Sequence, residues 1–211
     1  KFQVGNGKSF HIYCDDFDNS GTFDIVLSNS YKNELVPVRS RELSSQQMPF
    51  IAAKFSSFQS FAEANLTEIY GREKLENALH YKADLLESVF IENKGNGKFE
   101  IKKLPVEAQF SPIQDYMFFD IDKDGVNEIL SVGNMYNTEV ETPRLDASYG
   151  NIIKYREDKF SIINSKLSGF SSKGDARDIC ILKTVGNQQL LLITNNNEAL
   201  NIFKILNYSL P

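Results

Sequence analysis

Tryptophan is absent from this chain, and cysteine (2), histidine (2) and methionine (3) are scarce among its 211 residues. Two cysteines cannot staple a fold of this size, so its stability has to come from burial. Cys14 and Cys180 read as small buried hydrophobes in the first strands of separate sheets. His11 and His80 lie far apart, in no His-Glu-x-x-His or Cys-His spacing, which argues against zinc. No Gly-x-Ser-x-Gly turn is present to carry a hydrolase nucleophile. The longest aliphatic run, Leu190-Leu-Leu-Ile193, is far too short to cross a membrane as a helix, and no signal-like segment opens the chain. Basic residues number 23 against 28 acidic ones, for a net charge of −5, and they form no stripe, so nucleic acid is excluded as a partner.

What the chain does have is a hydrophobic fraction of 41% with 16 Phe and 9 Tyr, enough for a β core. It also carries one nine-residue pattern twice. Asp16-Phe-Asp18-Asn-Ser20-Gly21-Thr22-Phe-Asp24 is matched by Asp120-Ile-Asp122-Lys-Asp124-Gly125-Val126-Asn-Glu128. Side-chain oxygens at positions 1, 3 and 5, glycine at 6, a main-chain carbonyl at 7 and a carboxylate at 9 suit a hard cation that takes six to eight oxygens. The expected calcium ligands are Asp16, Asp18, Ser20, the Thr22 carbonyl and Asp24 in the first loop. In the second they are Asp120, Asp122, Asp124, the Val126 carbonyl and Glu128. An EF-hand closes with a bidentate Glu at position 12, where this chain has Leu27 and Ser131. Alternating Phe10, Ile12 and Cys14 lead into the first loop, and Ile25-Val-Leu27 and Ile129-Leu leave the two loops, so each joins strands rather than helices. A polar turn that binds nothing needs only the Gly and one Asx, and the repetition of the whole pattern argues against it.

A second phrase recurs as Val4-Gly-Asn-Gly-Lys8, Lys94-Gly-Asn-Gly-Lys98 and, degenerately, Arg156-Glu-Asp-Lys159. Asn-Gly between β-type residues predicts primed hairpin turns. A phosphate-cradling loop would require Ser or Thr after Lys98 and a helix beyond it, and the sequence offers neither.

These residues together resemble the FG-GAP or VCBS repeat, the blade of integrin-α-type calcium-binding β-propellers. Ser45-Gln-Gln-Met-Pro-Phe50, Glu107-Ala-Gln-Phe-Ser-Pro112 and the stretch from Gly133 to Gly150 look like the large bacterial VCBS proteins related to cartilage acidic protein, common in Bacteroidetes. Two departures stand out, Ser20 in place of Asp at position 5 and Glu128 in place of the closing Asp. The resemblance implies an all-β fold of about three propeller blades with a small helical insertion. Blade A takes residues 9–35 and 88–104, blade B 112–165 and blade C 174–207, so that 1–35 and 88–211 are propeller. Residues 36–87 form the insertion, with one helix capped by Ser57 and running through Phe61 toward Leu66, and a second carrying Leu75, Leu79 and Leu86 at helical spacing. The insertion serves as a cap over a blade or as a docking surface, and the stretch from Arg39 to Phe50 is expected to be extended. Three blades do not close a propeller, so the chain is expected to be a piece of a larger one. Multi-Asp sites fill where calcium is near millimolar, which points outside the cytoplasm: secretion, the cell surface, or the outer membrane or periplasm of a bacterium.

The excursion from Asn134 to Tyr149 exceeds ordinary hairpin length, and its Tyr136, Glu139, Glu141, Arg144, Asp146 and Tyr149 suit the rim of a protein- or glycan-binding surface. Three functions compete. One is a non-catalytic, calcium-stabilised binding propeller, the reading the residues favour. Another is the propeller of a secreted polysaccharide lyase, with Arg144, Tyr149 and Tyr136 as its candidates. The third is a structural subunit, of lipoprotein type, of an outer-membrane assembly that docks through the insertion. Because calcium affinity follows ligand charge, Ser20→Asp is expected to tighten the first site, as read by calorimetric calcium titration.

Overall fold

The computed structural model describes residue 2, residues 4–140 and residues 142–206. It is an all-β protein of four antiparallel sheets with several short helices, divided into two compact units, Lys1–Leu86 and Glu87–Pro211. Residue 207, the last assigned to blade C, and Glu141 lie outside the described residues.

The first unit is built on β1 (Phe10–Asp15), β2 (Asp24–Tyr31), β3 (Glu34–Pro37) and β4 (Leu79–Ala83), in the order β3-β2-β1-β4. Alternation along β1 and β2 turns His11, Tyr13, Asp24, Val26 and Ser28 inward and leaves Ile25 exposed. Over the inner face lie α1 (Arg41–Gln47), α2 (Phe50–Lys54), α3 (Phe58–Ala62), α4 (Leu66–Tyr70) and α5 (Arg72–Asn77). Met48, Ile51, Phe55, Phe61, Leu66, Ile69 and Tyr70 from this segment form one core with Tyr13, Phe17 and Val26. Each large apolar side chain so buried contributes about 1.5–3 kcal/mol, so the helices are part of the fold they cover. None exceeds seven residues, and side chains satisfy their open ends. Ser57 with Ser60 and Asn65 with Glu68 make capping boxes, Arg41 Nε donates to Phe55 O (2.7 Å), and Lys54 Nζ donates to Glu68 O (2.6 Å).

Three expectations change here. Residues 41–47 are helical rather than extended, because Ser40 caps the turn and Ser44 and Met48 bury against the core. The helix expected through Leu86 stops at Asn77, where Ala78 turns extended and the next residues enter the sheet as β4. The 79–86 spacing suited either element, and an open edge on β1 selects the strand. The sheet of β1 and β2 is therefore completed by residues 79–83 rather than by 88–104.

In the second unit β5 (Val89–Gly95) and β6 (Lys98–Lys103) form a two-stranded sheet of their own. Next come a 3-10 turn (Val106–Gln109), then β7 (Ile113–Phe119), β8 (Glu128–Gly133), β9 (Asn151–Arg156) and β10 (Lys159–Ile162) in the order β10-β9-β8-β7. After α6 (Ser165–Ser168), a three-stranded meander follows: β11 (Ala176–Lys183), β12 (Gln189–Asn195) and β13 (Asn201–Lys204). Every residue of β8 is buried, because sheet β7–β10 has a core on each face. Leu130, Val132 and Ile152 pack with Phe170, Ile179, Leu191 and Ile193, whereas Ile129 and Ile153 pack with Ala108, Phe90 and Leu104. Asp115 Oδ2 accepts from Ile179 N (2.9 Å), fixing β7 to β11.

The repeated Asn-Gly phrase makes primed turns in each place, with φ of +52° and +81° at Asn6 and Gly7 and of +52° and +72° at Asn96 and Gly97. The echo at Glu157 and Asp158 has +49° and +62°. The cysteines are not both buried: Cys14 is half-buried, and Cys180 is exposed because its side chain alternates onto the open side of β11 with Asp178 and Leu182.

Pairing of β4 with β1 also brings together the two histidines. His11 Nδ1 lies 2.8 Å from His80 Nε2, Ser9 Oγ lies 3.0 Å from His11 Nε2, and the His80 ring stacks on Tyr13 at 4.2 Å. Burial, then His80 and Lys82, lower the His11 pKa from its ordinary 6.5, against the opposing pull of Asp84. Folded His11 thus binds fewer protons than unfolded His11, so its contribution to stability is full above pH 6.5 and falls as the pH drops below it. Thermal melts between pH 8 and pH 5 should show the wild type losing stability on acidification, with a shallower loss in His11→Gln; equal slopes would contradict the assignment.

Candidate metal centre

The first acidic loop joins β1 to β2, and the second joins β7 to β8. Their internal hydrogen bonds coincide position by position. At position 1, Asp16 takes Ser20 N on Oδ1 (2.8 Å) and Gly21 N on Oδ2 (2.8 Å), and Asp120 takes Asp124 N (3.1 Å) and Gly125 N (2.9 Å) in the same way. At position 3, Asp18 Oδ1 accepts from Ser20 N (3.0 Å) and Asp122 Oδ1 from Asp124 N (3.3 Å). The closing carboxylate accepts from the amide of position 2, Asp24 from Phe17 N (3.0 Å) and Glu128 from Ile121 N (3.2 Å). Backbone angles agree as well: φ is +60° at both Asn19 and Lys123, and +87° at both Gly21 and Gly125. Only glycine takes the latter value cheaply, which explains its place at position 6.

One oxygen each from Asp16, Asp18 and Asp24 falls within a 4.8 Å cluster, and the same holds for Asp120, Asp122 and Asp124. Oxygens on opposite sides of a calcium ion at about 2.3–2.6 Å are about 5 Å apart, so both clusters have the span of a coordination sphere. The amides use only part of each carboxylate's capacity of about four lone pairs. Glu128 is fully buried, and its Oε1 has no hydrogen-bond partner. Its nearest cation is Arg156, 3.6 Å away and too far for a hydrogen bond, so the oxygen keeps bonding capacity that a metal ion would use. Burial is the main cause raising the pKa values of Asp24 and Glu128, whereas the Gly21 amide lowers Asp16 and the Val126 amide, then Arg156, lowers Asp124.

The basic neighbours differ. Lys74 of α5 donates to Asp16 O (3.1 Å), Phe17 O (2.8 Å) and Asn19 Oδ1 (3.0 Å), clasping the first loop by its backbone. At the second loop, β9 supplies Lys154 Nζ, 2.5 Å from Asp122 Oδ2 and 3.7 Å from Asp124 Oδ2. It also supplies Arg156, which pairs with Asp124 and reaches to 3.6 Å from Glu128 Oε1. Sequence reasoning missed all three. The alternation of Lys154 and Arg156 on a strand pairing with the one that Glu128 opens was the available signal; Lys74 had none.

The residues of the 134–149 excursion are only partly brought together. Asn134 is buried and ties the loop's ends, donating to Ser148 O (3.0 Å) and Gly174 O (2.8 Å) and accepting from Ser148 N (3.0 Å). Met135 and Leu145 exchange main-chain bonds, so the excursion is a pinned hairpin. On it the Arg144 guanidinium lies 4.3 Å over the Tyr136 ring and holds Asp146 Oδ2 by two bonds of 3.0 and 2.8 Å. Glu139 stays in the turn, accepting from Thr142 Oγ1. Tyr149 is half-exposed with Lys173 over its ring, in other company than the Tyr136 group.

Comparison of the chain with protein-family models, with curated proteins and with solved structures gives no match. No helix among the described residues is long and apolar enough to cross a membrane.

An ideal Cβ at Gly21 or Gly125 would meet nothing within 4 Å, so substitution costs only backbone strain. Gly21→Ala and Gly125→Ala should each destabilise by about 1–2 kcal/mol in urea unfolding. A neutral result at either would mean that the loop does not hold this conformation.

Proposed function

We propose that this chain is a calcium-pinned, non-catalytic β-sheet segment of an FG-GAP or VCBS-type propeller, acting outside the cytoplasm as a binding module for protein or glycan. The observation that carries the reading is the coincidence of the two loops in hydrogen bonds and backbone angles, together with a buried Glu128 oxygen that no hydrogen bond satisfies. An ordinary turn has no need of three converging carboxylates. Asp16, Asp18, Ser20, the Thr22 carbonyl and Asp24 would hold one ion, and Asp120, Asp122, Asp124, the Val126 carbonyl and Glu128 the other. Bound calcium would cross-link groups that otherwise repel one another in a tight turn. For the ligand, the Tyr136–Arg144–Asp146 group is the favoured contact: Arg144 and Asp146 are exposed beside a half-buried Tyr136, the group is held on a pinned hairpin, and it combines an aromatic ring with a guanidinium.

Calcium at a hundred times its dissociation constant stabilises a one-site protein by about 2.7 kcal/mol. The melting temperature should therefore rise between EDTA and millimolar calcium, and the rise should vanish when Asp16→Asn and Asp120→Asn are combined. An unchanged melt on chelation would sink the calcium reading.

A further inference from the structure

The carboxylate count ranks the second loop above the first, with four acids at positions 1, 3, 5 and 9 against three. The side chains around the loops point the other way. Lys154 and Arg156 sit two residues apart on β9 and therefore on one face of it, and β9 pairs with β8 (Ile153 with Ile129) directly after Glu128. From there Lys154 reaches Asp122 and Asp124, and Arg156 reaches Asp124 and Glu128, so three of the four acids at positions 1 to 9 have a cation from the same strand. In the first loop, Lys74 engages two carbonyls and an amide oxygen rather than the carboxylates.

Resting on the calcium reading above, we infer that Lys154 and Arg156 are a built-in counter-cation for the second loop, which calcium has to displace, and that the first loop is the tighter calcium site. Two tethered positive charges compete at a high effective concentration, because their strand is held in register whether or not an ion is present. They also repel an arriving divalent ion, whereas the three acids of the first loop accept hydrogen bonds from the main-chain amides of Phe17, Ser20 and Gly21. The second loop thereby has its acids partly neutralised at low calcium, whereas the first loop, held by Lys74 at its backbone, keeps its carboxylates for the ion.

Calorimetric titration of the full chain with calcium alone tests this. The wild type should show a tighter and a weaker event. Asp16→Asn should remove the tighter one, and Asp120→Asn the weaker. Lys154→Met with Arg156→Met, which keeps apolar stems but removes both charges, should tighten the weaker event at least about tenfold, or about 1.4 kcal/mol. In EDTA the same double variant should melt below the wild type. If that variant fails to fold, the two Asp→Asn titrations still decide the ranking. Loss of the tighter event in Asp120→Asn, or an unmoved weaker constant in the double Met variant, overturns the inference while leaving calcium binding intact. No calcium binding in the wild type at millimolar concentration overturns the calcium reading, and this inference with it.

Discussion

Crowding carboxylates into a nine-residue turn is the constraint on which the rest of each loop depends. Charges that close repel by several kcal/mol at the effective dielectric of a protein surface. Main-chain amides offset part of that cost: Gly21 and Gly125 take a left-handed conformation that turns their N–H toward Asp16 and Asp120, and the position 2 amides hold Asp24 and Glu128. Each loop therefore needs its flanking strands, since the amides converge only when the strands on either side fix the turn. β1 and β2 do this for the first loop, and β7 and β8 for the second.

The two units solve the remaining problem, covering a sheet, by different means. In the first, one face of a four-stranded sheet is covered by five short helices that are too brief to be stable alone and persist through Met48, Ile51, Leu66 and Ile69 in the shared core. The second unit covers one face of β7–β10 with the β11–β13 meander side and the other with Ala108, Phe90 and Leu104. Lys74 belongs to a covering helix and clasps the first loop, so the helices also steady the acidic turn. β9 is core strand and counter-cation source at once, with Ile152 and Ile153 buried and Lys154 and Arg156 turned to the acids.

Local chemistry was legible in the sequence wherever a residue type has few conformations open to it. The Asn-Gly pairs announced primed turns, Gly21 and Gly125 announced left-handed positions between acids, Ser57 announced a helix start, and strand alternation announced an all-β chain. These depend on steric limits and on side-chain-to-backbone bonds that act over a few residues, so the string of letters suffices to state them.

What only the tertiary structure decided were the choices among elements of equal local merit and the partners that meet across the chain. Residues 79–83 fit a helix or a strand, and the open edge of β1 made them a strand. Residues 41–47 gave no decisive period, and the core drew them into a helix. His11 meets His80, Arg144 lies over Tyr136 while Tyr149 finds Lys173, and Lys154 and Arg156 reach the second acidic loop. Each of these depends on which strands pair, and pairing is set by the burial of whole faces rather than by any residue's neighbours in sequence.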